Sequence, residues 1–326
     1  KSLHRLHKML ACAAVTFVAA SCSVNRFIPE GSYLLERVSI SADSSSLNTQ
    51  PLQGFVRQHP NSRWFSAVPV PLSVYCLSGT DSTKRFNRFL RRLGEAPVIY
   101  DSTLSLRTSI NMEQAVRSMG YLNARVTRDE RVRRNRLRLR YEVHPGERYH
   151  VRNLDVDIQD SVLQHQLAEA NALPRLSEGM KFDLNVLDEE RGRISSVLAN
   201  RGYYRFNKDF IRFEADTTVG HHQVDLLMKV LPYNITPARD TILHNRYRIH
   251  EVTYQVDTLR EASRLEPGNI YREQDVQETY ARMIRLGGVL GTNVRLYPAS
   301  SDSTGLDAVV QVSQGKHNSF GVEVEG

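Results

Sequence analysis

The chain has 326 residues, of which 40% are hydrophobic and 24% are charged. This composition is typical of a folded globular protein, and the length suggests two or three domains. The formal net charge of +7 is too small to indicate a polyanionic ligand.

The first 21 residues have the layout of an export signal. A basic segment, 1–8, precedes an apolar run, 9–20, which is too short to cross ~30 Å of hydrocarbon as a helix. Three small residues, 19–21, then precede Cys22. This pattern resembles the lipobox of bacterial lipoproteins, which implies cleavage before Cys22 and acylation of its thiol. An ordinary signal peptide followed by an incidental cysteine is the alternative interpretation.

Cleavage before Cys22 changes the charge and the cysteine count of the remaining chain. Three basic residues and Cys12 would leave with the signal, so the net charge falls from +7 to about +4. With Cys22 acylated, Cys76 has no cysteine to pair with, and an internal disulfide is excluded. Residues 22–32 are interpreted as a lipidated tether.

One strand pattern recurs three times along the chain. The segments YLLERVSI, YHVRNLDV and YRIHEVTY begin at Tyr33, Tyr149 and Tyr247. Each carries apolar residues two, five and seven positions after the tyrosine, so both faces are apolar near one end of the strand. The pattern predicts an opening β-strand in each of three repeated units.

A helix pattern follows each of these strands. Residues 101–120 and 183–202 align with each other, and each begins with an aspartate and ends with a glycine. Asp is a favoured N-cap and Gly a favoured left-handed C-cap, so each segment predicts one capped amphipathic helix. The third copy, 272–287, is one turn shorter and lacks the aspartate.

Alternating hydrophobicity after each helix predicts a hairpin, which completes a β-α-α-β-β unit. The predicted fold is α+β with three such units in tandem, at 33–146, 147–232 and 246–315, and with a linker at 233–245. The first unit contains an insertion around Trp64, which we expect to be an ordered loop with an apolar anchor formed by Trp64, Phe65, Val68, Val70 and Tyr75.

The repeated unit resembles the POTRA domains of outer-membrane assembly proteins. The lipobox and the segments FIPEGSYLLERVSI, GEAPVIYD and GYYRFNKDFIRFEADTTVGHHQVDL are similar to the periplasmic half of the translocation and assembly module lipoproteins of Bacteroidetes, which are TamA-like relatives of the BAM insertase. In that family an outer-membrane β-barrel follows the last POTRA domain. The resemblance therefore makes residues 316–326 the start of the first barrel strand.

The resemblance also implies a function and a set of partners. The chain would be the periplasmic POTRA arm of an outer-membrane protein assembly factor, held at the outer membrane through Cys22. The implied partners are a periplasm-spanning TamB-like protein or other assembly components, unfolded outer-membrane protein clients and outer-membrane lipid, with no nucleic acid. A self-contained outer-membrane lipoprotein scaffold that binds a periplasmic partner without a barrel is the alternative.

Backbone at the sheet edges is the candidate binding site. The resemblance places the strand after each helix at an edge, where N–H and C=O groups can pair with an extended partner strand. The main candidate is 203–213, and 122–128 is the second. The residues assigned to the main edge are Tyr203, Tyr204, Phe206, Phe210, Ile211 and Phe213. An edge that is only solvated is the alternative in each case.

The run RVTRDERVRRNRLRLR is the strongest charge anomaly. On a strand, Arg136, Arg138 and Arg140 share one face while the leucines between them take the other, which predicts a hairpin with a basic outer face. A solvated face is the first interpretation. Contact with anionic lipid or with an acidic partner is the second, and contact with nucleic acid is the third.

No residue is assigned to catalysis, to a metal or to a cofactor. The adjacent histidines of GHHQ, 220–223, fit a hairpin turn better than a metal site. Glu189 and Glu190 lie on one predicted helix without a partner carboxylate, and neither a nucleophile elbow nor a phosphate-binding glycine loop is found. The sequence therefore predicts a protein that is not an enzyme.

Overall fold

The computed structural model describes residues 24–64, 68–79, 81, 83–235, 241–286 and 289–314. The chain divides into two compact units between Tyr149 and His150. The predicted export signal, Cys22 and the predicted barrel strand at 316–326 lie outside the described residues.

A three-stranded sheet forms the centre of the first unit. β3 lies in the middle, parallel to β1 and antiparallel to β2. Alternate residues of β3 are buried on one face, from Leu137 to Val143, as the sequence pattern predicts. The strands are β1 (Leu34–Ala42), β2 (Arg125–Arg133) and β3 (Arg136–His144).

Helices cover the buried face of this sheet. The long helix α3 places Met112 and Val116 in the core at zero exposure. The carboxylate of Asp101 accepts hydrogen bonds from the backbone N–H groups of Thr103 and Leu104, which confirms the predicted N-cap. The helices are a 3₁₀ helix (Gln50–Phe55), α1 (Val70–Cys76), α2 (Arg85–Leu93) and α3 (Ser102–Ser118).

The insertion in the first unit differs from the expected loop. It contains α1 and α2, and the Trp64 side chain is 57% exposed, so Trp64 does not anchor it. Leu72 and Cys76 of α1 instead pack with Val24 and Leu34. Apolar content alone predicted an anchor, but it did not show which apolar residues face inward.

The described residues of the second unit form two further three-stranded sheets and one short two-stranded pair. Each three-stranded sheet has the strand that closes the hairpin in the middle, parallel to the opening strand and antiparallel to the other. The elements are β4 (His150–Ile158), α4 (Ser161–Glu169), α5 (Leu184–Ala199), a 3₁₀ helix (Lys208–Phe210), β5 (Ile211–Asp216), β6 (Gln223–Val230), the short pair β7 (Asn234–Ile235) and β8 (Thr241–Ile242), β9 (Arg248–Tyr254), a 3₁₀ helix (Asp257–Ala262), α6 (Glu273–Ile284), β10 (Val289–Pro298) and β11 (Gly305–Gln314).

The prediction of an α+β fold with three tandem β-α-α-β-β units is confirmed. Within the described residues, three sheets of three strands share one strand order, and a helix precedes the hairpin in each. Gly120 and Gly202 follow two of these helices, and Gly287, predicted to follow the third, lies outside the described residues. The first helical segment is α-helical between β4 and α5 and 3₁₀ in the other two copies. The unit boundaries proposed from the sequence remain predictions.

A β-bulge recurs at the same place in the opening strand of each sheet. The register shifts there by one residue, and the side chain of the bulged residue binds a charged residue on the central strand. The charge order is reversed in the first sheet, where the opening strand supplies the acid. The pairs are Glu36 with Arg138, Arg152 with Asp225, and His250 with Asp307.

Within the second unit, the end of α5 contacts the opening strand of the third sheet, and we call this contact the α5–β9 joint. The Tyr247 N–H donates to the Gly202 carbonyl at 2.7 Å. The Tyr204 ring packs edge-on against Tyr247 and Tyr271, with centroids 5.7 and 5.2 Å away. Gly202 therefore ends the helix and also forms part of this joint.

Candidate partner-binding surfaces

The main predicted edge, 203–213, is only partly a strand. β5 begins at Ile211, and the preceding residues form a turn and a 3₁₀ helix. Tyr203 and Phe206 are 1% and 5% exposed and lie in the core under the second sheet, while Tyr204 belongs to the α5–β9 joint. The predicted edge was placed directly after Gly202 by the resemblance, but the strand starts nine residues later because the intervening segment packs Tyr203 and Phe206 inward.

The open backbone of β5 is short. The Leu231 N–H donates to the Phe210 carbonyl at 2.8 Å, so the even-numbered residues of β5 form the hydrogen bonds with β6. Ile211, Phe213 and Ala215 therefore direct their backbone groups to the free edge. The Ile211 N–H donates to the Lys208 carbonyl, and its own carbonyl accepts from Arg191 Nε at 2.8 Å. Only the groups of Phe213 and Ala215 in β5 are then directed to an open edge.

The edge of β2 is longer. Arg134 and Asn135 form a two-residue turn with φ angles of 49° and 57°. In such a turn the flanking residues, Arg133 and Arg136, are a hydrogen-bonded pair. The even-numbered residues of β2 therefore direct their backbone groups outward. Because the Val126 N–H donates to the Glu113 carboxylate, the residues that direct both backbone groups to the open edge are Arg128, Glu130 and Val132.

The third sheet has an edge that the sequence analysis did not single out. The Ala299 N–H donates to the Gly305 carbonyl at 2.9 Å, which directs the groups of Pro298, Leu296 and Val294 outward from β10. Proline fits this position because it has no N–H to leave unbonded. The carbonyl of Leu296 lies 3.4 Å from the Tyr204 hydroxyl, which donates to it.

The exposed face of the first sheet carries seven arginines, and we call six of them, all except Arg125 opposite His144, the arginine face. Arg131 lies directly opposite Arg138, and Arg133 lies directly opposite Arg136. Like charges in directly opposite positions destabilise a sheet. Around Glu36, this face encloses a concavity of about 400 Å³. The members of the arginine face are Arg37, Arg131, Arg133, Arg136, Arg138 and Arg140.

Glu36 is the acidic group at the centre of the arginine face. Its carboxylate oxygens contact Arg138 and, at 3.6 Å, Arg136. Burial raises the pKa of Glu36, but the hydrogen bond from Arg138 and the charges of Arg138, Arg136 and Arg63 outweigh burial and lower the pKa. The carboxylate therefore stays ionised at neutral pH and offsets part of the repulsion among the arginines.

The residues considered for catalysis and metal binding have structural roles. Glu190 is 6% exposed and binds Arg193, whereas Glu189 is exposed. The histidines of GHHQ have φ angles of 52° and 55° and form the turn between β5 and β6, as predicted. His250, Glu251 and Asp307 bring three potential metal ligands together, but His250 and Asp307 already bind each other at 2.7 Å.

Comparisons with known proteins identify likenesses of fold. No family model and no curated protein matches the chain. A solved structure of Haemophilus influenzae BamA POTRA domains 3–5 is similar, with 16% identity, coverage of 88% of this chain and 99% of that one, and a TM-score of 0.46.

Two cyanobacterial structures are also similar. The N-terminal domain of Omp85 from Thermosynechococcus elongatus has 14% identity, coverage of 89% of this chain and 100% of that one, and a TM-score of 0.27. POTRA domains 1–3 of Anabaena Omp85 have 13% identity, coverage of 88% of this chain and 98% of that one, and a TM-score of 0.28.

Among the helices of the described residues, none combines the length and the apolar character that crossing a bilayer requires.

Proposed function

We propose that the chain is the periplasmic POTRA arm of an outer-membrane protein assembly factor of the translocation and assembly module type. In this proposal Cys22 is acylated and holds the arm at the outer membrane. The arm binds extended strands of unfolded clients, or of a TamB-like or other assembly partner, by adding them to an open sheet edge. The observation that carries the proposal is the repeated sheet with a backbone edge directed to solvent.

The edge of β2 is the best binding edge in this proposal. It directs six backbone groups outward, from Arg128, Glu130 and Val132, whereas β5 directs four. At ~0.5–1.5 kcal/mol net for each hydrogen bond, six bonds to β2 contribute roughly 3–9 kcal/mol, from which the cost of association is subtracted. Binding of that strength suits a site that must release its client.

We expect site-specific photocrosslinking in cells to capture partner polypeptides at the β2 edge. A photoreactive phenylalanine analogue at Arg128 or Val132 should give defined adducts, because the backbone of both residues is directed to the free edge. The matched control is Ile110 of α3, which is 47% exposed and lies on a helix of the same unit. Equal adduct patterns at the edge and at Ile110 would contradict strand addition at β2.

A further inference from the structure

Helix α2 exposes its apolar side chains. Phe86, Phe89 and Leu93 are 68%, 56% and 61% exposed, although burial of each such side chain stabilises a protein by ~1.5–3 kcal/mol. The remaining exposed positions are arginines, and the segment RFNRFLRRL contains no acidic residue. Exposed apolar surface of this kind indicates a binding surface when its members are contiguous.

The side of α2 that faces the protein makes polar contacts through Asn87 and Arg91, and Leu90 is the one apolar residue of α2 that is half-buried there. The Asn87 side-chain amide donates to the Asp81 carbonyl at 2.7 Å, and Arg91 donates to the Ser78 hydroxyl and the Gly79 carbonyl at 3.2 and 3.0 Å. A helix on the surface of a globular protein normally buries its apolar stripe and exposes its polar one. The orientation of α2 is the opposite, so burial in its own unit does not explain the apolar stripe.

The outer half of α2 has two adjacent stripes. At 3.6 residues per turn, Phe86, Phe89 and Leu93 fall within an arc of roughly 60°, and Arg85, Arg88 and Arg92 fall within a second arc about 100° away. Helices that lie in the membrane interface place aromatic and aliphatic side chains among the acyl chains and basic side chains at the phosphates. We propose that α2 binds the surface of an anionic membrane, with its phenylalanines inserted and its arginines on lipid phosphates.

α2 lies close to the segment that leads back to Cys22. The lipid anchor on Cys22 rests on the proposed function. The guanidinium carbon of Arg91 lies 5.8 Å from the Phe27 ring and 5.7 Å from the Tyr75 ring. The five residues from Phe27 back to Cys22 span at most ~18 Å. An acyl group on Cys22 would therefore hold α2 within reach of the membrane that it enters, and a weak surface helix would act as the second membrane contact.

α2 is held against α1 by a close contact that requires glycine. A Cβ atom on Gly94 would lie 2.4 Å from the Tyr75 backbone nitrogen and 2.8 Å from the Pro71 carbonyl oxygen. This close contact fixes the orientation of α2 against α1, and therefore the direction in which the two stripes of α2 point. The arginine face offers charge without such an apolar stripe, and for this reason α2 rather than that face is assigned the membrane contact.

The test is partitioning of residues 23–326 onto vesicles of phosphatidylethanolamine and phosphatidylglycerol. This chain lacks the export segment and the Cys22 thiol, so binding reports α2 without an acyl anchor. R85Q/R88Q/R92Q should lower the partition coefficient about 100-fold at ~1 kcal/mol per basic residue near the surface. F86S/F89S should lower it at least tenfold, because two aromatic side chains no longer enter the acyl region. Both stripes are exposed, so these variants should fold.

A matched control separates α2 from apolar exposure in general. L106S/I110S removes two apolar residues of α3 that are 46% and 47% exposed, and it should leave partitioning unchanged. In a W64F/F89W variant, lipids brominated on their acyl chains should quench the fluorescence of the new tryptophan.

Several results would overturn the inference. They are an absence of vesicle binding, binding unaffected by the α2 variants, or binding lost only when Arg131 and Arg138 of the arginine face become glutamine. Binding to an acidic polypeptide together with an absence of vesicle binding would assign α2 to a protein partner instead. None of these results changes what is expected at the β2 edge, so failure of this inference and failure of the proposed function are distinguishable.

Discussion

Replacing Glu190 by alanine is expected to lower the free energy of unfolding of the second unit by about 3 kcal/mol. Both oxygens of its carboxylate bind Arg193, at 2.8 and 2.7 Å, and one also accepts the Arg175 N–H at 2.8 Å. Arg193 in turn donates to the carbonyls of Ala172 and Leu173. Removal of the carboxylate leaves a half-buried guanidinium and a backbone N–H without their acceptor, which costs more than the pair contributes.

Glu189 provides the matched control for this variant. It is the adjacent residue of α5 and is exposed, so Glu189→Ala should change stability by less than about 0.5 kcal/mol. Chemical denaturation of both variants, followed by circular dichroism, measures the difference. Equal effects of the two substitutions would show that Glu190 is not a structural carboxylate.

The Glu190 carboxylate should make the free energy of unfolding of the second unit fall as the pH becomes acidic. Burial raises the pKa of Glu190, but the hydrogen bonds from Arg193 and the Arg175 N–H and the charges of both arginines lower it below the ordinary value of 4.5. The unfolded chain therefore takes up a proton at a higher pH than the folded chain. The stabilisation is complete above pH 4.5 and is lost as the pH falls through the lowered pKa, and the alanine variant should lack this part of the acid response.

The capped helices and the hairpin alternation were predictable because each depends on local chemistry. Asp101 and Asp183 accept backbone hydrogen bonds at the starts of α3 and α5, where the sequence placed them. Leu137 and Leu139 are buried, while the arginines that alternate with them, 136, 138 and 140, are half-buried or exposed. A cap and an alternating strand are specified by neighbouring residues, so the pattern is enough to identify them.

The open sheet edges and the orientation of α2 could not be predicted from local sequence in the same way. The start of β5 depends on whether Tyr203 and Phe206 point into the core, and this is decided by packing against α4 and α5 rather than by spacing. The expected anchor of the insertion lay at 64–75, and no role was predicted for the apolar residues of α2, whose stripe by itself would indicate the side that faces the core. The contacts of Asn87 and Arg91 reverse that orientation, and they involve residues that sequence periodicity does not single out.

Gly202→Val is expected to lower the free energy of unfolding of the second unit by about 4 kcal/mol, by the combined cost of backbone strain and overpacking. Gly202 has φ +103°, which a β-branched residue rarely adopts. A Cβ atom there would lie 2.9 Å from the Ile270 side chain and 3.4 Å from the Tyr247 carbonyl oxygen. The substitution should therefore disturb the α5–β9 joint as well as the end of α5, and urea denaturation would measure the loss.

Two other glycines separate the contributions to this effect. Gly179 has φ +79° and open space around its Cβ position, so Gly179→Ala should show backbone strain alone, about 1 kcal/mol. Gly192 lies within α5 with an ordinary φ and open space, so Gly192→Ala should stabilise the unit by about 0.5–1 kcal/mol. If Gly202→Val cost no more than Gly179→Ala, the contact with Ile270 would contribute nothing, and Gly202 would be only a helix cap. A larger loss that Ile270→Ala partly relieves would show that this glycine couples the end of α5 to the third sheet.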